Sequence, residues 1–354
     1  MSKRSKNLAK LTGIALGAAA AASASAYFTT KYLVSVALDR KTPKIMEKAE
    51  EYISGTQFDE KFMTYLEECS EKLENTENET VYMDARDGER LVGHYIPCKD
   101  PKRIIIAVHG WRSSWHKDFG MAADFWNENN CDVIYIEQRG QNNSGGEYMG
   151  FGLTERYDCY DWVQWAINRF GDSLPIYLAG VSMGATTVLM ATGLSLPQNV
   201  HGVMADCGFT SPYEIWKYIA NKNLHISFGI RGAIADAMCK QKINLGTESY
   251  STLDALKINT VPILFAHGTD DHFVPVEMTY RNYAACTAPK TLLIVPGADH
   301  GMSLYTEPEK YKETVKDFWR KFDNVVPEKT PEAITADESE QRSINGNNEE
   351  TDSI

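Results

Sequence analysis

Ser182 stands at the centre of Gly180-Val181-Ser182-Met183-Gly184, within the stretch PIYLAGVSMGATTVLMATG. The apolar run before it is typical of a buried strand, and the small and apolar residues after it are typical of a helix. Glycines on both sides let the backbone turn sharply between the two elements, which exposes the Ser182 hydroxyl. The N–H groups that begin the helix point toward whatever Ser182 attacks. The pattern therefore predicts a nucleophilic serine.

The nucleophile needs a base, because a serine hydroxyl is a poor nucleophile until its proton is removed. His300 stands in VPGADHGMS, directly after the last predicted strand. A loop at that point reaches the carboxyl edge of the sheet, where ligands of α/β proteins bind. His300 is the predicted base. His267 ends the preceding strand and is predicted to orient the acid loop, and His272 is an alternative base.

The base in turn needs a carboxylate, which holds its tautomer and stabilises the imidazolium. HGTDDHFVP places Asp270 and Asp271 after the penultimate strand, and Asp206 ends VHGVMAD. Asp271 is the predicted acid, with Asp206 and Asp270 as alternatives. Four neighbouring side chains also suggest a metal site, although adjacent residues of a short loop are hard to aim at one ion: His267, Asp270, Asp271 and His272. We predict a site with no metal and no cofactor.

The elements that must position these residues alternate along the chain. TVYMDA and LVGHYIP flank Arg86-Asp87-Gly88-Glu89, which predicts a hairpin. Six short apolar runs follow, each trailed by a segment long enough for a helix: RIIIAVH, DVIYIE, PIYLAG, VHGVMAD, VPILFAH and TLLIVP. Continuous apolar runs indicate strands buried on both faces. The sequence thus predicts an α/β fold, with a mostly parallel sheet between helix layers.

The chain order Ser182, Asp271, His300 resembles that of the α/β-hydrolase superfamily. HGW after RIIIAV, EQRGQNNSGG, GVSMG, HGTDDHFVP and GADH resemble blocks of one group within it. That group contains bacterial membrane-associated hydrolases related to serine aminopeptidases, prolyl-oligopeptidase-like enzymes and lysophospholipase-like esterases. The resemblance covers about residues 79–322. It implies an eight-stranded α/β-hydrolase fold with a small helical cap, and an oxyanion hole formed by the backbone N–H groups of Trp111 and Met183.

One block departs from the pattern of these relatives. Where they read D-x-R-G-x-G-x-S, this chain has Glu137 in the Asp place and Asn142 in the second Gly place, while Arg139 and Ser144 remain. The block usually braces the loop near the active site.

Residues 208–258 interrupt the strand rhythm and form the predicted cap. Four apolar residues there are expected either to line a pocket or to pack helices onto the sheet: Trp216, Tyr218, Phe228 and Ile230. The same two interpretations apply to Trp111, Trp115 and Trp126.

The N-terminal segment resembles a membrane-targeting sequence. Four basic residues lie within the first ten positions, and an uncharged run from Leu11 to Phe28 follows. Residues 1–30 are predicted to be an uncleaved membrane anchor, with the catalytic domain outside. The alternative is a signal peptide cleaved after Ala24-Ser25-Ala26, which would give a secreted enzyme. A soluble Ala-rich helix is a third interpretation.

The remaining boundaries follow from composition. Residues 31–78 are predicted to be a helical spacer, residues 79–322 the hydrolase domain, and residues 323–354 an acidic disordered tail. The tail has 9 Asp or Glu against 2 Lys or Arg and almost no large apolar residue. The net charge of −12 argues against a nucleic-acid partner. Seven cysteines without a C-x-x-C motif predict mostly free, buried thiols.

These features together predict a serine hydrolase that cleaves a carboxylic ester, or a thioester or amide, through an acyl-enzyme. Its expected substrate is a small-molecule or lipid-like acyl compound, and its expected membrane contact is the N-terminal segment. A serine aminopeptidase is the alternative enzyme. A hydrolase fold kept as a binding module, without catalysis, is the alternative outside enzymes.

Overall fold

A computed structural model of the protein describes residues 23–41 and 60–328. Parts of the predicted anchor (residues 1–30), spacer (residues 31–78) and tail (residues 323–354) therefore lie outside the described residues, namely 1–22, 42–59 and 329–354. Within the described part of the chain, no helix combines the length and apolarity needed to cross a membrane. All seven cysteines fall in the described ranges and are free thiols, five of them buried.

The helices and strands alternate along most of the chain, as the apolar runs predicted. The first half begins with a helical stretch at residues 23–38 (α1) and continues with α2 (Glu60–Glu74), β1 (Glu79–Asp84), β2 (Arg90–Ile96), β3 (Arg103–Val108), α3 (Trp115–Glu128), β4 (Cys131–Ile136), α4 (Glu155–Phe170) and β5 (Ile176–Val181). The second half comprises α5 (Met183–Ala191), β6 (Val200–Asp206), α6 (Pro212–Tyr218), a π-helical turn (Ile219–Asn223), α7 (Gly229–Ile243), α8 (Thr252–Ile258), β7 (Ile263–Gly268), α9 (Val276–Ala285), β8 (Lys290–Val295), α10 (Ser303–Thr306) and α11 (Pro308–Phe322).

The strands form one eight-stranded sheet in the order β1-β2-β4-β3-β5-β6-β7-β8. β2 runs antiparallel to both of its neighbours, and every other pairing is parallel. The predicted hairpin joins β1 to β2, with Asp84 opposite Arg90. This is the α/β-hydrolase fold that the sequence predicted.

The sheet is buried on both faces, which explains why its strands read as unbroken apolar runs. Along β3, Ile104 and Ile106 belong to one apolar cluster while Ile105 and Ala107 belong to another. Alternate side chains of a strand point to opposite faces, so the two clusters lie on opposite sides of the sheet. The first cluster includes Trp162 of α4 together with residues of α5 and α8, and the second includes residues of α3 and α11.

The six parallel strands, β3 to β8, all end at one edge of the sheet, and the loops after five of them carry the residues described below. The segments after β3, β5, β6, β7 and β8 all leave the carboxyl ends of parallel neighbours. They carry, in that order, Trp111, Ser182, Cys207, Asp271 and His300. The four elements between β6 and β7, from α6 to α8, form the helical insertion at the predicted cap.

Candidate active site

Ser182 occupies a strained turn between β5 and α5. Its φ of +56° is in the left-handed region that side chains other than glycine avoid. A Cβ at Gly184 would overlap the carbonyl oxygen of Val108 in β3, and one at Gly180 would overlap the carbonyl of Gly184. Only glycine therefore fits on either side. The turn is held by a hydrogen bond from the Ser182 N–H to the carbonyl oxygen of Asp206, 2.9 Å long.

His300 connects Ser182 to Asp271. Its Nε2 lies 3.0 Å from Oγ of Ser182, and its Nδ1 lies 2.8 Å from Oδ2 of Asp271. Because a carboxylate only accepts hydrogen bonds, the proton is assigned to Nδ1, which leaves Nε2 to accept the Ser182 hydroxyl proton. The structure brings together the three residues that the sequence placed in one site.

Asp271 is held by donors on both of its oxygens. Oδ1 accepts hydrogen bonds from the N–H groups of Phe273 at 2.9 Å and Val274 at 2.7 Å. Oδ2 is shared by His300 and by Nε2 of His267, at 3.0 Å. Burial alone would raise the pKa of Asp271, but the positive charge of His300 and the hydrogen bonds from both histidines hold that pKa well below its ordinary value. Asp271 is therefore charged at neutral pH.

His267 has the orienting position that the sequence predicted for it. The ring is fully buried, and its Nδ1 lies 2.6 Å from the hydroxyl of Thr279. Its Nε2–H is shared between Asp271 and the carbonyl oxygen of Val274, 2.9 Å away. His267 thereby links α9 to the loop of Asp271.

The charge of Asp271 also sets the behaviour of His300. Burial would lower the pKa of His300, but the attraction of the Asp271 carboxylate raises that pKa well above its ordinary value. His300 therefore stays protonated to a higher pH than an exposed histidine, and it becomes a base only above that pH.

The alternative residues have other partners. Asp206 accepts a hydrogen bond from the Ser303 hydroxyl at 3.0 Å, and burial raises its pKa. Asp270 accepts one from the Thr269 hydroxyl at 2.7 Å, and the exposed His272 pairs with Asp299 at 3.1 Å. The four residues considered as a metal site therefore do not converge on a common point.

Cys207 is a residue of the site that sequence reasoning missed. Its Sγ and the ligand atoms of Asp271 and His300 lie within 4.8 Å of one another. Burial raises the pKa of this thiol to about 11, so it is protonated at neutral pH and is a poor metal ligand in that form. The signal that was available is its position directly after β6, at the same sheet edge as Ser182.

The predicted oxyanion donors flank Ser182. Met183 is the first residue of α5, where N–H groups have no partner within the helix. Trp111 follows Gly110, at which a Cβ would lie only 3.3 Å from the Cβ of Ser182. Among the described residues, neither the Trp111 N–H nor the Met183 N–H has a hydrogen-bond acceptor. Both are available to a developing oxyanion.

The loop that carries Trp111 is braced by polar side chains. Asp118 of α3 accepts the Gly110 N–H at 2.6 Å, and Gln141 accepts the Arg112 N–H at 2.6 Å. Buried His109 donates from Nδ1 to the Gly110 carbonyl at 2.7 Å. These bonds fix the backbone around Trp111.

Residues 137–144 after β4, the block that differs from the pattern of the relatives, also brace this region. Glu137 accepts hydrogen bonds from His94 at 2.9 Å and from the Asn143 N–H at 2.5 Å. Arg139 forms a buried bidentate pair with Asp158. Asn142, with φ of +48°, adopts the left-handed conformation at the place where relatives have glycine. Asparagine tolerates this conformation better than most residues, so Asn142 can occupy a position at which glycine would be unstrained.

A cavity that opens to solvent extends from Ser182, and its empty space together with the solvent at its mouth amounts to about 860 Å³. Its wall is apolar and comes mainly from α1 and the helical insertion, including Trp216 and Phe228. Trp111 also lines it, whereas Ile230 is 72% exposed and does not. Trp115 and Trp126 pack in the core. Trp111, Trp216 and Phe228 therefore line the cavity, whereas Trp115 and Trp126 pack helices onto the sheet.

Residues 117–324 match the sequence profile of the prolyl oligopeptidase family of peptidases. The protein YqkD of Bacillus subtilis (strain 168) is 26% identical over 252 residues, which span 70% of this chain and 81% of YqkD. YfhR of Escherichia coli (strain K12) is 26% identical over 253 residues, spanning 68% of this chain and 80% of YfhR.

Solved structures with the same fold include an esterase and a peptidase. Esterase Pf2001 of Pyrococcus furiosus superposes with a TM-score of 0.57 at 20% identity, over 72% of this chain and 94% of the esterase. Acylaminoacyl peptidase of Pyrococcus horikoshii superposes with a TM-score of 0.55 at 16% identity, over 75% of this chain and 44% of the peptidase. At these identities the structures are evidence for the fold alone.

Proposed function

Since the chain belongs to the prolyl oligopeptidase family, a family of α/β hydrolases, we propose that it is a serine hydrolase with Ser182, His300 and Asp271 as its catalytic triad. The proposed reaction is the cleavage of a carboxylic ester through an acyl-enzyme. The observation that carries this proposal is the hydrogen-bonded line from Ser182 Oγ to His300 Nε2, at 3.0 Å, and from His300 Nδ1 to Asp271, at 2.8 Å.

In the proposed reaction, Oγ of Ser182 attacks the ester carbonyl carbon while His300 Nε2 takes the hydroxyl proton. The negative charge moves to the carbonyl oxygen, which the N–H groups of Trp111 and Met183 stabilise. The tetrahedral intermediate collapses, the ester C–O bond breaks, and His300 returns the proton to the leaving alcohol. Water then attacks the acyl-enzyme by the same route and releases the carboxylic acid.

A serine aminopeptidase is the second candidate, favoured by the match to the prolyl oligopeptidase family of peptidases. Such an enzyme has to bind the charged α-ammonium group of its substrate, for which a carboxylate near the nucleophile is the natural partner. In the described residues, the wall of the cavity contains no Asp or Glu, and its one charged residue is Arg231, a cation. This supports an ester over a peptide with a free amino terminus.

The test compares p-nitrophenyl butyrate with alanine p-nitroanilide and N-acetylalanine p-nitroanilide. Because the ester is intrinsically more reactive, each enzymatic rate is divided by the uncatalysed rate. We expect the largest acceleration for the ester, and a kcat lower by on the order of 10⁴–10⁶ in Ser182→Ala. A larger acceleration for the free-amine anilide than for its acetylated form would establish the aminopeptidase instead. No turnover of any of the three would contradict the proposed function.

A further inference from the structure

We infer that the cavity beside Ser182 binds an aliphatic acyl chain, and that α1 forms the wall that selects the chain length. This inference rests on the proposed ester hydrolysis, and it names the acyl half of the substrate. The sequence suggested no such role for residues 31–38, which were predicted to belong to a spacer.

The α1 helix supplies a large part of the cavity wall. Five of its residues line the cavity: Thr30, Leu33, Val34, Val36 and Ala37. Of these, Thr30, Val34 and Val36 are buried. The facing wall comes from the helical insertion, with Trp216, Ile219 and Phe228. Ser182 lines the same cavity. An acyl group bound to Ser182 would therefore lie between α1 and the insertion.

The position of α1 is fixed relative to the candidate oxyanion loop. The indole Nε1–H of Trp111 donates to the carbonyl oxygen of Ala37 at 2.9 Å. The Arg112 guanidinium donates to the carbonyl oxygens of Val36 at 2.8 Å and Asp39 at 2.6 Å. The last carbonyls of a helix have no partner within it, so these bonds satisfy groups that would otherwise need water. Moving α1 would break them.

The α1 segment is also tied to the facing wall. Lys242 of α7, in the insertion, pairs with Asp39, the residue after α1, at 2.6 Å. Outside the insertion, the Met149 N–H donates to the carbonyl oxygen of Leu38 at 2.7 Å. The two walls are therefore joined at the end of α1, which limits how far they can separate to admit a wider group.

The wall offers few polar groups to an acyl chain. The Thr30 hydroxyl already donates to the carbonyl of Ala26 at 2.7 Å. Among the described residues, Nε1 of Trp216 and Nε of Arg231 are the donors of lining residues that are buried without a hydrogen-bond partner. Nearly all the other lining side chains are apolar. A polar acyl group would lose its hydrogen bonds to water on entering such a cavity. Each methylene of an acyl chain that moves from water into the cavity raises the binding affinity by up to about fourfold. The wall thus favours a hydrocarbon chain.

The test varies chain length against the size of one α1 residue. Wild-type protein and Leu33→Trp are assayed with p-nitrophenyl acetate and p-nitrophenyl decanoate. We expect wild type to favour decanoate in kcat/KM. The larger side chain in Leu33→Trp should take the space of at least two methylenes of the acyl chain. It should therefore lower kcat/KM for decanoate by about tenfold or more, while kcat/KM for acetate stays within about twofold of wild type. Leu33→Ala should shift the preference toward dodecanoate.

Lys31→Trp is the matched control, because it adds the same side chain at an exposed position of the same helix. It should leave both rates unchanged. An equal loss on acetate and decanoate in Leu33→Trp, or a wild-type enzyme with no gain from chain length, would overturn the inference while leaving ester hydrolysis intact.

A binding measurement separates this inference from the proposed function. Fluorescence of dansylated undecanoic acid reports on the cavity without turnover, and Ser182→Ala provides an inactive protein. We expect Ser182→Ala to bind the probe and the double variant with Leu33→Trp to bind it about tenfold or more weakly. Binding without any ester turnover would sustain the acyl site and contradict the hydrolase, and absence of binding to Ser182→Ala would overturn the acyl site.

Discussion

Oδ2 of Asp271 lies 2.8 Å from Nδ1 of His300, on the side of the imidazole ring away from Ser182. This contact distinguishes Asp271 from Asp206, which lies at the end of β6 near the site but accepts a hydrogen bond from the Ser303 hydroxyl. It orients the ring and it keeps a negative charge beside it. Both effects lead to measurable predictions.

Asp271→Asn should reduce kcat by on the order of 10⁴, because an amide no longer stabilises the imidazolium and favours the wrong tautomer of His300. Asp206→Asn and the exposed Asp270→Asn should be much milder. Steady-state kinetics with p-nitrophenyl butyrate, alongside circular dichroism to verify folding, makes the comparison. A folded Asp206→Asn variant as impaired as Asp271→Asn would mean that the acid is misassigned.

The pH dependence of kcat/KM should follow the ionisation of His300. The reaction needs neutral His300, and Asp271 raises its pKa well above its ordinary value. Activity should therefore be low while the ring is protonated and should rise with pH through an apparent pKa above about 6.5. In Asp271→Asn the residual activity should rise at a lower pH, since the attracting charge is gone. A rising limb in the same place in both proteins would contradict this assignment.

A change that loosens the loop carrying Trp111 should lower kcat much more than it changes KM. Asp118→Ala removes the acceptor that holds the Gly110 N–H at 2.6 Å, so the Trp111 N–H is no longer fixed where the oxyanion develops. We expect kcat to fall by about 10² with little change in KM. Asp124→Ala, at an exposed position of the same helix, is the control. An unchanged kcat with a raised KM would assign the loop to ground-state binding.

Arg139 should contribute to stability. Its guanidinium is paired with Asp158 and Asp87 and is largely buried. Arg139→Met leaves the Asp158 carboxylate buried without its partner, which typically costs about 3–5 kcal/mol. Lys72→Met, which breaks the exposed pair with Asp124, should have a much smaller effect, because solvent screens the attraction between two exposed charges. Urea unfolding at pH 7 measures the free energy of unfolding of both variants. Equal losses would show that the buried pair contributes no more to stability than the exposed pair.

The parts of the molecule that depend on local pattern were predictable. Apolar runs gave the strands of the sheet, and the glycines around Ser182 gave the turn, because both are properties of short segments. The chain order Ser182, Asp271, His300 named the three residues that the structure brings together. Their catalytic role remains a prediction.

Contacts between distant segments were not predictable in the same way. Nothing in the sequence around Ala37 indicates that it accepts a hydrogen bond from Trp111, since the two are far apart in the chain. Cys207 likewise has no motif of its own, and its place beside His300 follows from the order of the strands. The first of these contacts joins two residues that line the cavity.

The central claim is that Ser182 is the nucleophile activated by His300, and covalent labelling tests it most directly. A fluorophosphonate probe loses fluoride as Oγ of the serine bonds to phosphorus, and peptide mass spectrometry locates the adduct. We predict one adduct, on the peptide containing Ser182, absent from Ser182→Ala and formed about 10⁴-fold more slowly or worse in His300→Ala. Labelling at another residue, or undiminished labelling of Ser182→Ala, would contradict the account.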